Sequence, residues 1–159
     1  TMFVENKDGR KEIPIDDWSF AYMIPNLAPE DVLTSISIPI WGAGHGYAFI
    51  EFARRHGDFA ICAAGALMEI DSKNKILKVA ITVAGADVKP TRLIKLEENL
   101  VGHEANETIF LEAEQEAKKI EALSDVYYTA SYRKRLSGTL VKRALRTATK
   151  RAKGSSQNG

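Results

Sequence analysis

The chain has 159 residues, of which 45% are hydrophobic and 27% charged, with a formal net charge of +1. That composition excludes a disordered chain and suits one domain, or one domain plus part of a neighbour. No apolar run approaches the roughly 18 residues of a membrane helix, no basic-then-apolar leader is recognisable, and the single cysteine, Cys62, excludes an internal disulfide, a four-thiolate zinc site and a cysteine-held iron–sulfur cluster.

Residues 1–46 read as irregular and strand-rich. Met2-Phe-Val4 suits a short strand and Asn6-Lys-Asp-Gly9 a turn. Glu12-Ile-Pro-Ile15 leads into Asp16-Asp-Trp18, where an acid could cap one helical turn. Leu27 to Leu33 reads as another helical turn, with Pro29 near its start. Ile36, Ile38 and Ile40 alternate with Ser35, Ser37 and Pro39 as a half-buried strand would, and Gly42-Ala-Gly-His-Gly46 is a loop.

From residue 47 to 92 the pattern is sheet-like. Phe59 to Ile70 is a long apolar run of small side chains, Asp71-Ser-Lys-Asn-Lys75 a polar turn, and Ile76 to Val83 a β-branched strand. Together they make an antiparallel hairpin. The small residues Ala60, Ala63, Ala64, Gly65 and Ala66 suggest close packing on both faces of the first strand.

Beyond Thr91 the period turns helical. Leu93 to Leu100 is a short helix that Gly102 can end. Asn106 or Thr108 can cap a second helix, with Phe110, Ala113, Ala117 and Ile120 on its apolar stripe. Thr129 or Ser131 can cap a third, whose stripe runs through Leu136, Leu140, Val141, Ala144, Leu145 and Ala148, while Gly138 implies a close neighbour. Strands followed by helices indicate an α+β fold, an antiparallel sheet packed against three C-terminal helices. Gly154 onward reads as a frayed tail.

Charge is unevenly placed. The last 34 residues, from Val126, hold nine basic side chains and no acid, whereas the first 125 hold all 21 acids. The stretch reads either as a basic terminal helix favoured by the helix macrodipole at its C-terminal end or as a surface that docks an acidic protein partner. Nucleic-acid binding is disfavoured, because no stacking aromatics follow Tyr132 in the basic stretch.

Few residues suggest chemistry. His45, His56 and His103 lack metal-ligand spacing, and Cys62 lies in an apolar strand. Glu12, Asp16 and Asp17 read as caps or solvated acids, and the loop at Gly42–Gly46 lacks the residues of a phosphate-binding motif. The exception is Tyr47-Ala-Phe-Ile-Glu-Phe-Ala-Arg-Arg-His-Gly-Asp-Phe-Ala-Ile61, where aromatics, two arginines and an aspartate run into a buried strand. Such a segment can hold a planar ring and an anion. Equally, Arg54 and Asp58 can pair simply to fix the start of the strand.

The stretch Arg54-Arg-His-Gly-Asp-Phe-Ala60 resembles the segment opening the C-terminal domain of the flavoprotein (medium) subunits of molybdenum hydroxylases, the carbon monoxide dehydrogenase and xanthine dehydrogenase family. Glu12 to Trp18, Leu27 to Pro39, Val88 to Arg92, and Ser131 to Leu136 followed by Arg143-Ala-Leu145 resemble further segments of that family in the same order. The resemblance runs from about Met2 to Lys150. It implies a CO dehydrogenase flavoprotein C-terminal domain over residues 47–152, preceded by the end of an FAD-binding domain over 1–46 and followed by a flexible tail at 153–159.

The resemblance further implies an oxidoreductase subunit carrying FAD, in a cytoplasmic complex. A large subunit would hold the molybdenum cofactor and a small one two [2Fe-2S] clusters, with no nucleic acid or membrane as partner. Residue by residue, it points to Leu33, Tyr47, Phe49, Arg54 and Asp58 as flavin contacts, whereas Ile50 and Glu51 replace a lysine often found in relatives. The family's two Gly-rich loops for the FAD pyrophosphate are not among these residues. The chain is therefore expected to resemble the C-terminal half of such a subunit, to need the N-terminal half for flavin, and to be inactive alone. The competing expectation is a non-catalytic α+β subunit-interaction module without flavin.

Overall fold

The computed structural model describes residues 1–155. Contacts divide the chain into two compact units that part between Trp41 and Gly42, five residues before the boundary expected from the sequence.

The first unit is built on the hairpin of β1 (Met2–Asn6) and β2 (Gly9–Ile13). The Asn6 side chain takes the Asp8 amide at 2.8 Å to close the turn. β5 (Val32–Ile36) joins β1 on its other side, giving the order β2-β1-β5. Between them lie a 3-10 turn at Ile15–Asp17 and the small ribbon of β3 (Ser19–Ala21) and β4 (Ile24–Pro25). Three expectations fail here. Leu27–Leu33 is not helical: the Asp31 carboxylate takes the Ala28 amide and the Asn6 side chain and pairs with Lys11, which makes a tight turn, and Val32 already belongs to β5. Nor do Ile38 and Ile40 continue a half-buried strand, being 79% and 96% exposed. Pairing with β1 ends at Met2↔Ile36, and Pro39 has no amide to extend it. The acids Asp16 and Asp17 do not cap the turn they occupy; Pro14 stands at its N-cap.

The second unit is a four-stranded antiparallel sheet with three helices. β6 (Gly46–Phe52), β7 (Cys62–Ile70), β8 (Ile76–Ala84) and β9 (Thr91–Arg92) lie side by side in chain order. The β7–β8 turn forms as expected, since Asp71 accepts the Lys73 and Lys75 amides at 2.8 Å each and Asn74 takes a left-handed conformation. α1 (Ile94–Leu100) packs on β8, and α2 (Glu107–Ala117) packs on α3 (Ala130–Ser155). Asn106 caps α2 by accepting the Ile109 amide, and Thr129 caps α3 by accepting the Tyr132 amide, both at 3.2 Å. α3 runs to Ser155, into the segment expected as a tail; residues 156–159 lie outside those described.

α3 crosses β6 and β7 and seals one face of the sheet. Ala48, Cys62, Ala64, Ala66, Met68 and Ile81 point into this layer and are buried. A Cβ on Gly46 would sit 1.7 Å from the Ala148 carbonyl oxygen, so the helix backbone rests directly on the edge strand there. On the helix's other flank a Cβ on Gly138 would meet the Glu114 carbonyl oxygen at 2.5 Å, which explains a glycine inside a helix as the seat of α2. Cys62 is buried against Ser137, Sγ to Oγ 3.3 Å, and burial pushes its thiol pKa up. The opposite face of β7 differs: nothing lies within 4 Å of a Cβ on Gly65. Close packing is therefore two-sided only at the start of β7, where Ala63 on the same face as Gly65 is buried, and one-sided at Gly65.

The two glycines make opposite predictions. Gly46→Ala should destabilise the protein by about 3 kcal/mol, because the obstacle is backbone. Gly65→Ala should stay within about 0.5 kcal/mol of the parent. Urea denaturation midpoints measure both.

Candidate functional site

The face of the sheet away from α3 is the most distinctive surface of the second unit. Side chains alternate along a strand, so with Gly46 and Ala48 turned to α3, Tyr47 and Phe49 stand on the opposite face, 56% and 70% exposed. Their register partners are Leu67 and Gly65 on β7, which in turn face Ala80 and Thr82 on β8. Two aromatic rings thus border a floor made of Leu67 and the smaller Gly65, Ala80 and Thr82. The floor begins at the Gly42–Gly46 loop, where the Gly42 amide donates to Glu69 Oε1 at 3.0 Å and His45 Nδ1 lies 2.8 Å from the Gly42 carbonyl.

Arg54 and Asp58 lie elsewhere. They sit in the β6–β7 loop, past the far end of β6 from Tyr47, a strand length of roughly 17 Å for five residues. Asp58 accepts from Arg55 Nε at 3.1 Å and pairs with Arg54 Nε at 3.4 Å, while the Arg54 guanidinium lies 5.5 Å from the centroid of the Tyr127 ring. The buried Asp58 Oδ2 takes no hydrogen bond from the described residues. Leu33 lies on β5 in the first unit, opposite Val4 on β1. Of the five residues suggested by resemblance, only Tyr47 and Phe49 therefore share one surface within the second unit.

Arg133 escapes a reading from sequence, where it is one base among nine. In the structure it is a clamp. Nη1 donates to the Ile61 carbonyl at 2.6 Å and to that of Gly85, Nη2 pairs with Asp125, and the guanidinium lies 5.7 Å from the centroid of the Tyr128 ring. The first turns of α3 are thereby tied to the start of β7, the end of β8 and the loop before the helix. Asp125 also accepts the Tyr128 and Tyr127 amides at 2.8 Å each. Those amides, and then Arg133, hold its carboxyl below the usual carboxylate range. Arg92 plays a similar part at the other edge, holding the buried Glu97 through Nε at 2.7 Å and Nη2 at 2.8 Å while Glu97 also takes the Ile81 amide.

Other bases of α3 are engaged within the fold as well. Lys142 pairs with Glu114 and Arg146 with Glu107, which lowers the pKa of each carboxyl, and Arg151 donates to the Tyr47 carbonyl at 2.7 Å. Of the nine bases, Arg133, Lys142, Arg146 and Arg151 are thus engaged within the fold, whereas Arg135, Arg143, Lys150 and Lys153 are exposed. No group of three or more His, Cys, Asp or Glu side chains among the described residues could hold a metal ion. No helix among them is long and apolar enough to cross a membrane.

Residues 47–148 match the model of the CO dehydrogenase flavoprotein C-terminal domain. The chain belongs to that family. It is 27% identical over 150 residues to the 6-hydroxypseudooxynicotine dehydrogenase complex subunit alpha of Paenarthrobacter nicotinovorans, covering 94% of this chain and 51% of the relative. With the nicotine 6-hydroxylase medium subunit of the same organism it shares 32% identity over 143 residues, 89% of this chain and 50% of the relative. Among solved structures, a cyanide-inactivated Cu,Mo-CO dehydrogenase superposes with a TM-score of 0.88 at 26% identity, covering 94% of this chain and 52% of the matched one. The chain spans about half the length of the curated relatives it matches. The antiparallel sheet with three helices is thus the flavoprotein C-terminal domain expected from the resemblance.

The role of Asp125 predicts a pH dependence. A folded pKa below the unfolded one contributes stability that is present above the ordinary carboxylate range and lost as pH falls through the lowered value. Asp125→Asn should therefore be less stable than the parent near neutral pH, and the gap should close only as the pH falls below the ordinary carboxylate range and through the lowered value. Denaturation midpoints recorded across that range check it.

Proposed function

We propose that this chain forms the C-terminal half of the FAD-carrying subunit of a molybdenum hydroxylase and supplies one wall of its flavin site. The observation that carries this reading is the pair of exposed aromatics, Tyr47 and Phe49, beside a sheet face kept flat by Gly65 and Ala80. A planar ring fits such a floor, because a small-residue surface lets it approach the backbone while an aromatic side chain packs along it. When bound, FAD supplies the electron-accepting and electron-donating chemistry of the subunit.

The chain's own residues then have separate tasks. Tyr47 and Phe49 bury one side of the ring and exclude water from it. Asp58 and its partner Arg54 shape the loop beyond the strand. Leu33 remains an apolar candidate by resemblance alone. The FAD pyrophosphate would be held by the N-terminal half, and the molybdenum cofactor and [2Fe-2S] clusters by large and small partner subunits. Names of the relatives, a medium subunit and a complex subunit alpha, support membership of such an assembly.

The 159-residue chain alone should bind FAD weakly or not at all, and flavin should be recovered when the N-terminal half is supplied. A yellow, stoichiometrically loaded preparation of this chain alone would contradict that division of labour. In the reconstituted subunit Phe49→Ala should weaken FAD binding about tenfold, the loss expected for one buried aromatic face. An unchanged dissociation constant in titrations would favour a purely structural role for this surface.

A further inference from the structure

The end of α3 reaches the proposed flavin wall from outside the stretch that matches the family, which stops at residue 148. Arg151 passes around the edge of β6, where its Nη1 donates to the Tyr47 carbonyl at 2.7 Å and its Cζ lies 4.4 Å from the centroid of the Tyr47 ring. One residue earlier, the contact of Gly46 with the Ala148 backbone fixes the helix against the strand. The His45 ring, with its centroid 6.4 Å from that of Tyr47, adds a second neighbour. An exposed tyrosine near the start of an edge strand would ordinarily sample several rotamers. Here one guanidinium holds both its backbone and its ring.

We propose that Arg151 is a positioning residue for Tyr47. It fixes the ring at the margin of the open sheet face and places a permanent positive charge beside the ligand that face receives. The proposal rests on the flavin reading and extends it to a residue that reading does not contain. Two physical effects follow. A ring ordered before binding loses less freedom when a flavin packs on it, which tightens binding. A guanidinium near the ring system also favours the more negative, reduced flavin over the oxidised one, because attraction between opposite charges is strong where water is excluded.

The test uses the full flavoprotein subunit within its complex. Arg151→Gln should raise the FAD dissociation constant about three- to tenfold and move the flavin midpoint potential to a more negative value. Arg151→Lys, which keeps the charge and loses the planar fork, should restore most of the potential but not all of the affinity. It also stands in if the Gln variant fails to fold. Lys153→Gln removes an exposed charge from the same helix and should move neither quantity. The proposal falls if Arg151→Gln leaves both unchanged, or if Lys153→Gln shifts the potential equally, since the effect would then be one of overall charge. Tyr47→Ala separates the two levels. If it leaves FAD binding intact, the flavin reading fails and the Arg151 proposal with it; if it weakens binding while Arg151→Gln does not, only the role of Arg151 is lost.

Discussion

Everything in the second unit depends on how closely α3 lies on the sheet. At Gly46 the strand offers no side chain, and the helix backbone at Ala148 takes the space one would occupy. Ala48, Ala64, Ala144 and Ala148 continue the same thin, buried interface. Large side chains at these positions would lift the helix and let water into the layer, so the closest part of the seam is made of small ones, with Met68 and Ile81 filling the space beside it. That arrangement spends the sheet's packing on one face and leaves the other for something else.

The ends of the helix are secured by charge rather than by bulk. Arg133 ties its first turns to the Ile61 and Gly85 carbonyls and to Asp125, and Arg151 ties its last turns to Tyr47. Both arginines satisfy backbone carbonyls that the sheet leaves without partner strands, a task suited to a planar group with several fixed donors. A helix pinned at both ends holds β6 and β7 in a fixed relation. A binding surface built on those strands therefore inherits its geometry from the far side of the sheet.

How much of this was legible in the residues depends on the distance over which each signal acts. Local chemistry read well: the polar turn at Asp71–Lys75, the caps at Asn106 and Thr129, and Gly138 as a close-contact position all appear as expected. Short segments governed by distant partners did not. Leu27–Leu33 carries the pattern of a helical turn, but Asp31 and pairing with β1 decide its shape. The run of small residues on β7 announces close packing without saying on which face. The order of segments was enough to suggest the family, while the parts of Arg133 and Arg151 were hidden in a run of nine bases whose partners lie far away in sequence.

Cys62 gives the helix–sheet seam a practical property. Its thiol lies beneath α3 beside Ser137, without solvent exposure and with its ionisation suppressed by burial. A reagent that modifies thiolates reaches it only when the helix lifts or the domain unfolds. The lone cysteine thus serves as a native reporter of opening, and its labelling rate measures how often α3 leaves the sheet, with no probe introduced into the protein.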